Sequence, residues 1–201
     1  MTGDDAAAFE RCIAVGGVAL FPADTVYGLA TDPDSREGVE RLYRLKGRPP
    51  ERPAAVMFFR LELALAALPE LGGRTVDAVE RLLPGALTLI VPNPARRFPL
   101  ACGPEPQRLG LRVPHLPLLT GVNWPVLQSS ANPSGAADAR RVDDVDQRIR
   151  RGVDLVVDGG ELPGTASTVV DLTAYESDRR FELLREGAVP SEQVEAMLRS
   201  G

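Results

Sequence analysis

The chain has 201 residues, 44% of them hydrophobic and 25% charged, with a formal net charge of −5. That size suits one hydrophobic core, or one core with a small lobe, and the composition excludes wholesale disorder and a coiled coil. The acidic balance argues against broad nucleic-acid binding and leaves room for a local basic cleft. No apolar run approaches the roughly 18–20 residues of a membrane span, and the start, MTGDDAAAFER, lacks the basic region of a signal peptide. A cytoplasmic protein is expected. Cys12 and Cys102 stand far apart and, with the single His115, form neither a typical zinc site nor a disulfide framework. Among 23 basic residues only Lys46 is a lysine. Lysine is a compact point charge and arginine a planar fork, so this lone lysine is either chance or a position that needs the ammonium.

Residues 4–15 are expected to form a helix, with Asp4 and Asp5 at its positive end, Phe9, Cys12 and Ile13 on one face, and Gly16-Gly17 as its stop. Val18 to Phe21 reads as a short buried strand that runs into the turn-rich segment PADTVYG. Asp34 with Glu37 resembles a capping box, and the following helix carries Val39, Leu42 and Tyr43 on one side. It ends at Lys46-Gly47, because Pro49, Pro50 and Pro53 forbid its continuation. Ala54 to Phe59 reads as a buried strand, residues 61–68 and 74–83 as helices, and Ala86 to Val91 as a strand. The Pro- and Arg-rich stretch 92–107 reads as a long loop. Leu109 to Val113 and Val126 to Gln128 are short strands, and 141–151 is an exposed polar helix. Leu155 to Val157, Thr168 to Leu172 and Phe181 to Leu184 are the last strands, before a helix capped by Ser191. Helices and strands are interspersed without strict alternation. That pattern fits a mixed α/β domain on one twisted, partly antiparallel sheet better than a doubly wound fold. Neither GxGxxG nor GxxxxGK[ST] occurs.

Four polar clusters follow predicted element ends. Asp24-Thr25-Val26-Tyr27-Gly28 reads equally as a plain turn or as a substrate loop offering the Thr25 hydroxyl. Lys46-Gly47-Arg48-Pro49, with Arg52 close by, reads as helix C-terminal cations or as an anion clamp, and the lone lysine favours the clamp. Gln128 to Gly135 and Gly164 to Thr168 are loops of small hydroxyl and amide groups that a ligand can approach closely. Arg112 sits inside an apolar strand, where an unpaired charge is costly. It needs a partner, either an internal carboxylate or a carboxylate of the ligand held bidentately. No GxSxG elbow and no carboxylate cluster occurs, so any Mg²⁺ is expected to arrive on nucleotide phosphates.

Seven segments in order, FPADTVYGLATD, LYRLKGRP, PGALTLIV, LGLRVP, SSANPSG, STVVDL and LLREGAV, resemble the successive signatures of the YrdC-like threonylcarbamoyl-adenylate synthases. The match runs from about residue 12 to 190, and the pairing of KxR with SxN, here Lys46, Arg48, Ser130 and Asn132, is the family's hallmark. The resemblance implies an open, twisted, mixed β-sheet flanked by helices around a positively charged cavity. With 201 residues, the chain is expected to be one YrdC-like domain of the short bacterial type. It also implies a reaction of L-threonine, bicarbonate and ATP that gives threonylcarbamoyl-AMP and pyrophosphate. A partner enzyme would then pass the threonylcarbamoyl group to adenosine 37 of ANN-decoding tRNAs.

By the same resemblance, Lys46, Arg48, Ser130 and Asn132 are catalytic and hold the ATP phosphates, assisted by Arg52, with Arg185 and Arg108 toward the nucleotide. Thr25, Arg112 and Ser167 hold threonine, and Tyr27 shapes its pocket. The chain departs from the family pattern at Ala23-Asp24, where Thr-Glu is commoner, and at Met57, where some members place a threonine-contacting His. Two competing readings are a non-catalytic module for double-stranded RNA or tRNA and a domain serving carbamoyl transfer from carbamoyl phosphate. Net charge −5 and the intact KxR and SxN residues argue against the RNA module.

Overall fold

The computed structural model describes residues 2–199. Leu20, Leu29, Val56 and Leu127 enter one buried cluster, and the adjacent Phe21, Ala30, Met57 and Val126 enter another. Side chains that alternate in this way belong to a sheet packed on both faces. The described residues form nine strands in that sheet: β1 Ala19–Pro22, β2 Tyr27–Thr31, β3 Ala55–Met57, β4 Leu87–Pro92, β5 Arg108–Arg112, β6 Val126–Ser130, β7 Leu155–Val156, β8 Thr168–Asp171 and β9 Glu182–Arg185. Their order is β7-β1-β2-β6-β3-β5-β4-β8-β9. β1/β7, β3/β5 and β4/β8 are parallel, and the other neighbours are antiparallel. The sheet is therefore mixed and open, as expected.

The helices are α1 Gly3–Ala14, α2 Arg36–Lys46, α3 Leu61–Ala67, α4 Gly73–Leu82, α5 Pro99–Cys102, α6 Gln147–Gly152, α7 Tyr175–Asp178 and α8 Ser191–Arg199. Val39, Leu42 and Tyr43 of α2 and Val79 and Leu82 of α4 pack into the first cluster. Phe9 and Ile13 of α1 pack into the second, where the Phe9 ring centroid lies 5.0 Å from that of Phe21 and 5.6 Å from that of Phe59. Strand register continues this second face onto β5 and β4, since Met57 pairs with Arg112, Ala55 with Gly110, and Ile90 with Gly110. There Thr88, Ile90, Gly110 and Val169 are only half-buried, because the cluster beneath α1 does not reach them.

Five local features differ from the sequence reading. β2 follows the PADTVYG turn directly; it is fully buried between β1 and β6, so it shows no alternation that would mark it as a strand. α2 is capped by Ser35, whose Oγ accepts the Gly38 N–H at 3.1 Å; the Asp34 N–H is engaged by the Asp32 carboxylate at 2.8 Å in a local turn. The expected 141–151 helix is split into a 3-10 turn at Val142–Asp144 and α6, because the Asp146 carboxylate accepts the Arg148 N–H at 2.7 Å and starts a new helix. The 92–107 loop contains α5 and is tied by buried Asn93, which donates to the carbonyls of Arg97 at 2.9 Å and Pro106 at 3.0 Å. Ser191 is the first residue of α8, and its N–H donates to Glu186 at 3.1 Å. Among the described residues, no helix is long and apolar enough to cross a membrane.

Candidate active site

A cavity of about 220 Å³ lies on the half-buried part of the second face. Ala55, Thr88, Arg112, Gln128, Ser130 and Val169 form its floor, and Thr25, Val26, Arg48, Pro53, Asp138 and Ser167 contribute to its walls, with Arg185 from β9. The floor residues come from β3, β4, β5, β6 and β8, so register alone brings distant sequence segments together.

Thr25 is placed by the tight link between β1 and β2. Ala23 N–H donates to Val26 O at 3.1 Å, and Thr25 N–H donates to Ala23 O at 2.8 Å. Asp24 takes a left-handed backbone, φ +63°, which Asp tolerates better than most residues. That turn aims its carboxylate at Arg112, whose Nη2 is 2.8 Å away. Arg112 Nη1 donates to Gln128 Oε1 at 3.1 Å. Burial pushes the Asp24 carboxyl up from its ordinary value and the Arg112 guanidinium down, each against the attraction of the other. Gly28 makes room for the Gln128 amide: a Cβ there would lie 2.7 Å from Gln128 Nε2.

Gly47, at φ +59°, closes α2 and turns the chain just after Lys46. Lys46 is only 3% exposed. Its Nζ donates to the carbonyls of Ser130 and of Asn132, the latter at 2.8 Å, and reaches Asn132 Oδ1 at 3.3 Å. The Ser130 hydroxyl donates to Asn132 Oδ1 at 2.5 Å, and Ser134 N–H donates to the Lys46 carbonyl at 2.9 Å. The lysine is the hub around which the SSANPS turn folds, and only neutral oxygens meet its protons. Burial first, then the Arg48 charge, push its pKa down to about 8, with Asp138 opposing.

Arg48 donates to the Pro53 carbonyl, and its guanidinium carbon lies 5.7 Å from the centroid of the Tyr43 ring. Its Nε is buried without a partner among the described residues. Arg185 Nη2 donates to the Ser167 carbonyl at 2.7 Å, and Ser167 Oγ is 2.8 Å from Thr88 Oγ1. Tyr27 is fully buried, and its hydroxyl accepts the Gly159 N–H at 2.9 Å and lies 3.0 Å from Asp158 Oδ1. It thereby anchors the strap that leads to Ser167, and Gly164 N–H in that strap donates to the Thr25 carbonyl at 2.9 Å.

Thr25, Arg48, Arg112, Ser130, Ser167 and Arg185 thus line one cavity. Lys46 and Asn132 stand directly behind Ser130, and Tyr27 acts through the strap. Arg52 is exposed and lies outside the lining. Arg108 belongs to a neighbouring pocket with Ile90, Cys102, Gly110 and Leu184, where it pairs with Asp171 and with Glu105 at 3.1 Å. Met57 is fully buried in the second apolar cluster and does not line the cavity. Sequence reasoning missed Thr88 and Asp138 as site residues; it placed Asp24 and Gln128 in candidate clusters without giving either a role of its own. The signal for Thr88 was a polar residue between Leu87 and Leu89 on a strand; Asp138 carried none. Three guanidiniums and several hydroxyls converging on one partly desolvated space make a site for anions.

The Sua5/YciO/YrdC family model, described as telomere recombination, matches residues 11–187. The chain belongs to this family. It is 35% identical over 168 residues to the threonylcarbamoyl-AMP synthase of Stenotrophomonas maltophilia, covering 79% of this chain and 87% of the relative. It is 30% identical over 191 residues to the enzyme of that name from Pyrococcus abyssi, covering 91% of this chain and 54% of the relative. The Bacillus subtilis relative of the same name is 32% identical over 191 residues, with 90% and 53% covered. The chain therefore spans about half the length of these last two. Among solved structures, P. abyssi Sua5 complexed with L-threonine superposes with a TM-score of 0.85 at 25% identity, over 98% of this chain and 58% of that one. Escherichia coli YciO superposes with a TM-score of 0.80 at 23% identity, over 96% and 94%, which establishes the shared fold.

Proposed function

We propose that the chain condenses L-threonine, bicarbonate and ATP into threonylcarbamoyl-AMP and pyrophosphate. The observation that carries this reading is the convergence of Arg48, Arg112 and Arg185 with Thr25, Ser130 and Ser167 on one cavity. It is supported by relatives that bear the name threonylcarbamoyl-AMP synthase and by the similarity to a Sua5 structure described as holding L-threonine. The reaction gathers anions: an amino-acid carboxylate, a carbamate and a triphosphate. Arg112, Thr25 and Ser167 take the threonine side, and Arg48, Ser130 and Arg185 take the phosphates. Lys46 holds the Ser130-Asn132 turn in place and adds its charge from behind.

The neutral amine of threonine first forms a C–N bond with the carbon of bicarbonate, and water leaves to give the carbamate; in the adenylyl step a carbamate oxygen then attacks the α-phosphorus. The bond to the bridging oxygen breaks, and pyrophosphate leaves with the electron pair. The carbamate is already anionic, so no general base is needed; positioning and cation clamping supply the catalysis. Mg²⁺ enters with the nucleotide substrate, carried on its phosphates. Arg52 and Arg108 stand outside this scheme. The adenylate is then handed to a partner that acts on tRNA. The test is pyrophosphate release from Mg-ATP with threonine and bicarbonate omitted in turn. Release that needs both is expected, and release that needs neither overturns the assignment.

A further inference from the structure

We propose that Asp138 recognises the ammonium group of the amino-acid substrate and so restricts the site to free α-amino acids. The inference rests on the reading of the cavity as a threonine site. Asp138 is the only carboxylate among the residues that line it, against three guanidiniums. The guanidiniums are already engaged: Arg112 by Asp24 and Gln128, Arg185 by the Ser167 carbonyl, and Arg48 by the Pro53 carbonyl and the Tyr43 ring. The half-buried Asp138 carboxylate makes no hydrogen bond or ion pair among the described residues. Its cationic neighbour Lys46 acts on it only through space, since that ammonium is hydrogen-bonded to oxygens of Ser130 and Asn132.

A lone carboxylate adds nothing to a site for phosphates alone, because it repels them. It fits a ligand with a positive end, and the test below separates an ammonium from the Mg²⁺ that nucleotide phosphates carry. An α-amino acid carries its ammonium one carbon from its carboxylate, so a cavity with guanidiniums on one side and a carboxylate on another complements the zwitterion. The backbone fixes where Asp138 stands. The next residue, Ala139, is 2% exposed, and its carbonyl accepts the Tyr27 N–H at 2.9 Å. The Arg140 carbonyl accepts the Leu162 N–H at 2.9 Å, and Gly164 N–H donates to Thr25 O. Asp138 is therefore held in the cavity wall between Lys46 and the backbone of Tyr27, itself two residues from Thr25.

The experiment is titration calorimetry of wild type and Asp138→Asn with two ligands, L-threonine and 3-hydroxybutanoate. The second keeps the carboxylate, hydroxyl and methyl of threonine and lacks the ammonium. Asp138→Asn should bind threonine about ten- to a hundredfold more weakly, the loss expected for one charge-assisted hydrogen bond, and bind 3-hydroxybutanoate as wild type does or better. Asp138→Ser should behave alike, and thermal melting should show both variants folded. Equal weakening of both ligands, unchanged threonine affinity, or a loss confined to Mg-ATP binding each overturns the proposal while leaving the threonine site intact. Wild type that binds neither ligand removes the underlying reading instead.

Discussion

The Asp24 carboxylate lies 2.8 Å from the Arg112 guanidinium, and the two side chains are only 10% and 5% exposed. The arginine in an apolar strand thus has an internal counter-ion from a turn 88 residues earlier in the chain. Removing one partner of a buried pair strands the other charge, which costs about 3–5 kcal/mol. Asp24→Asn should lower the unfolding free energy in urea by that order. Asn also tolerates the left-handed backbone, so the loss reports the charge and not the turn. A loss below about 1 kcal/mol would show that Arg112 is held by other means.

Lys46→Arg keeps the charge and should still cost about a hundredfold or more in pyrophosphate release. Oxygens of Ser130 and Asn132 surround a compact ammonium, and a planar fork does not fit among them. Activity within threefold of wild type would mean that only the charge matters there.

The same lysine predicts a pH dependence of stability. Its pKa falls from 10.5 in the unfolded chain to about 8 in the folded one. Between those values the unfolded state binds the proton that the folded state has released, so the lysine's contribution to stability grows as pH rises through that window. The unfolding free energy of wild type minus that of Lys46→Met should increase by up to roughly 3 kcal/mol from pH 7 to pH 10. A difference that shrinks over this range contradicts the assigned direction.

Tyr27→Phe should cost about 1–2 kcal/mol in stability, because Gly159 N–H loses its acceptor. If the strap places Ser167, KM for threonine should rise more than kcat falls. A change in kcat alone would place the hydroxyl elsewhere in the mechanism.

Much of this arrangement was legible before the structure. Lys46 stood out because arginine fills every other basic position, and Arg112 because a charge in an apolar strand demands a partner. The mixed sheet followed from the uneven mixing of helices and strands. What could not be read were the consequences of register. Thr88, Gln128 and Arg112 meet because β4, β5, β3 and β6 are neighbours, and strand order is not written in any local pattern. β2 escaped because a strand paired and buried on both sides loses its alternation. Arg52 was read from the run of cations after Lys46 and Arg108 by resemblance, and the geometry places both outside the cavity.

The account stands most directly on one product. With ¹³C-bicarbonate, L-threonine and Mg-ATP, mass spectrometry should detect threonylcarbamoyl-AMP carrying the label in its carbamoyl carbon, and pyrophosphate should appear in equal amount. Pyrophosphate without a labelled adenylate, or a labelled adenylate that forms without threonine, would contradict it.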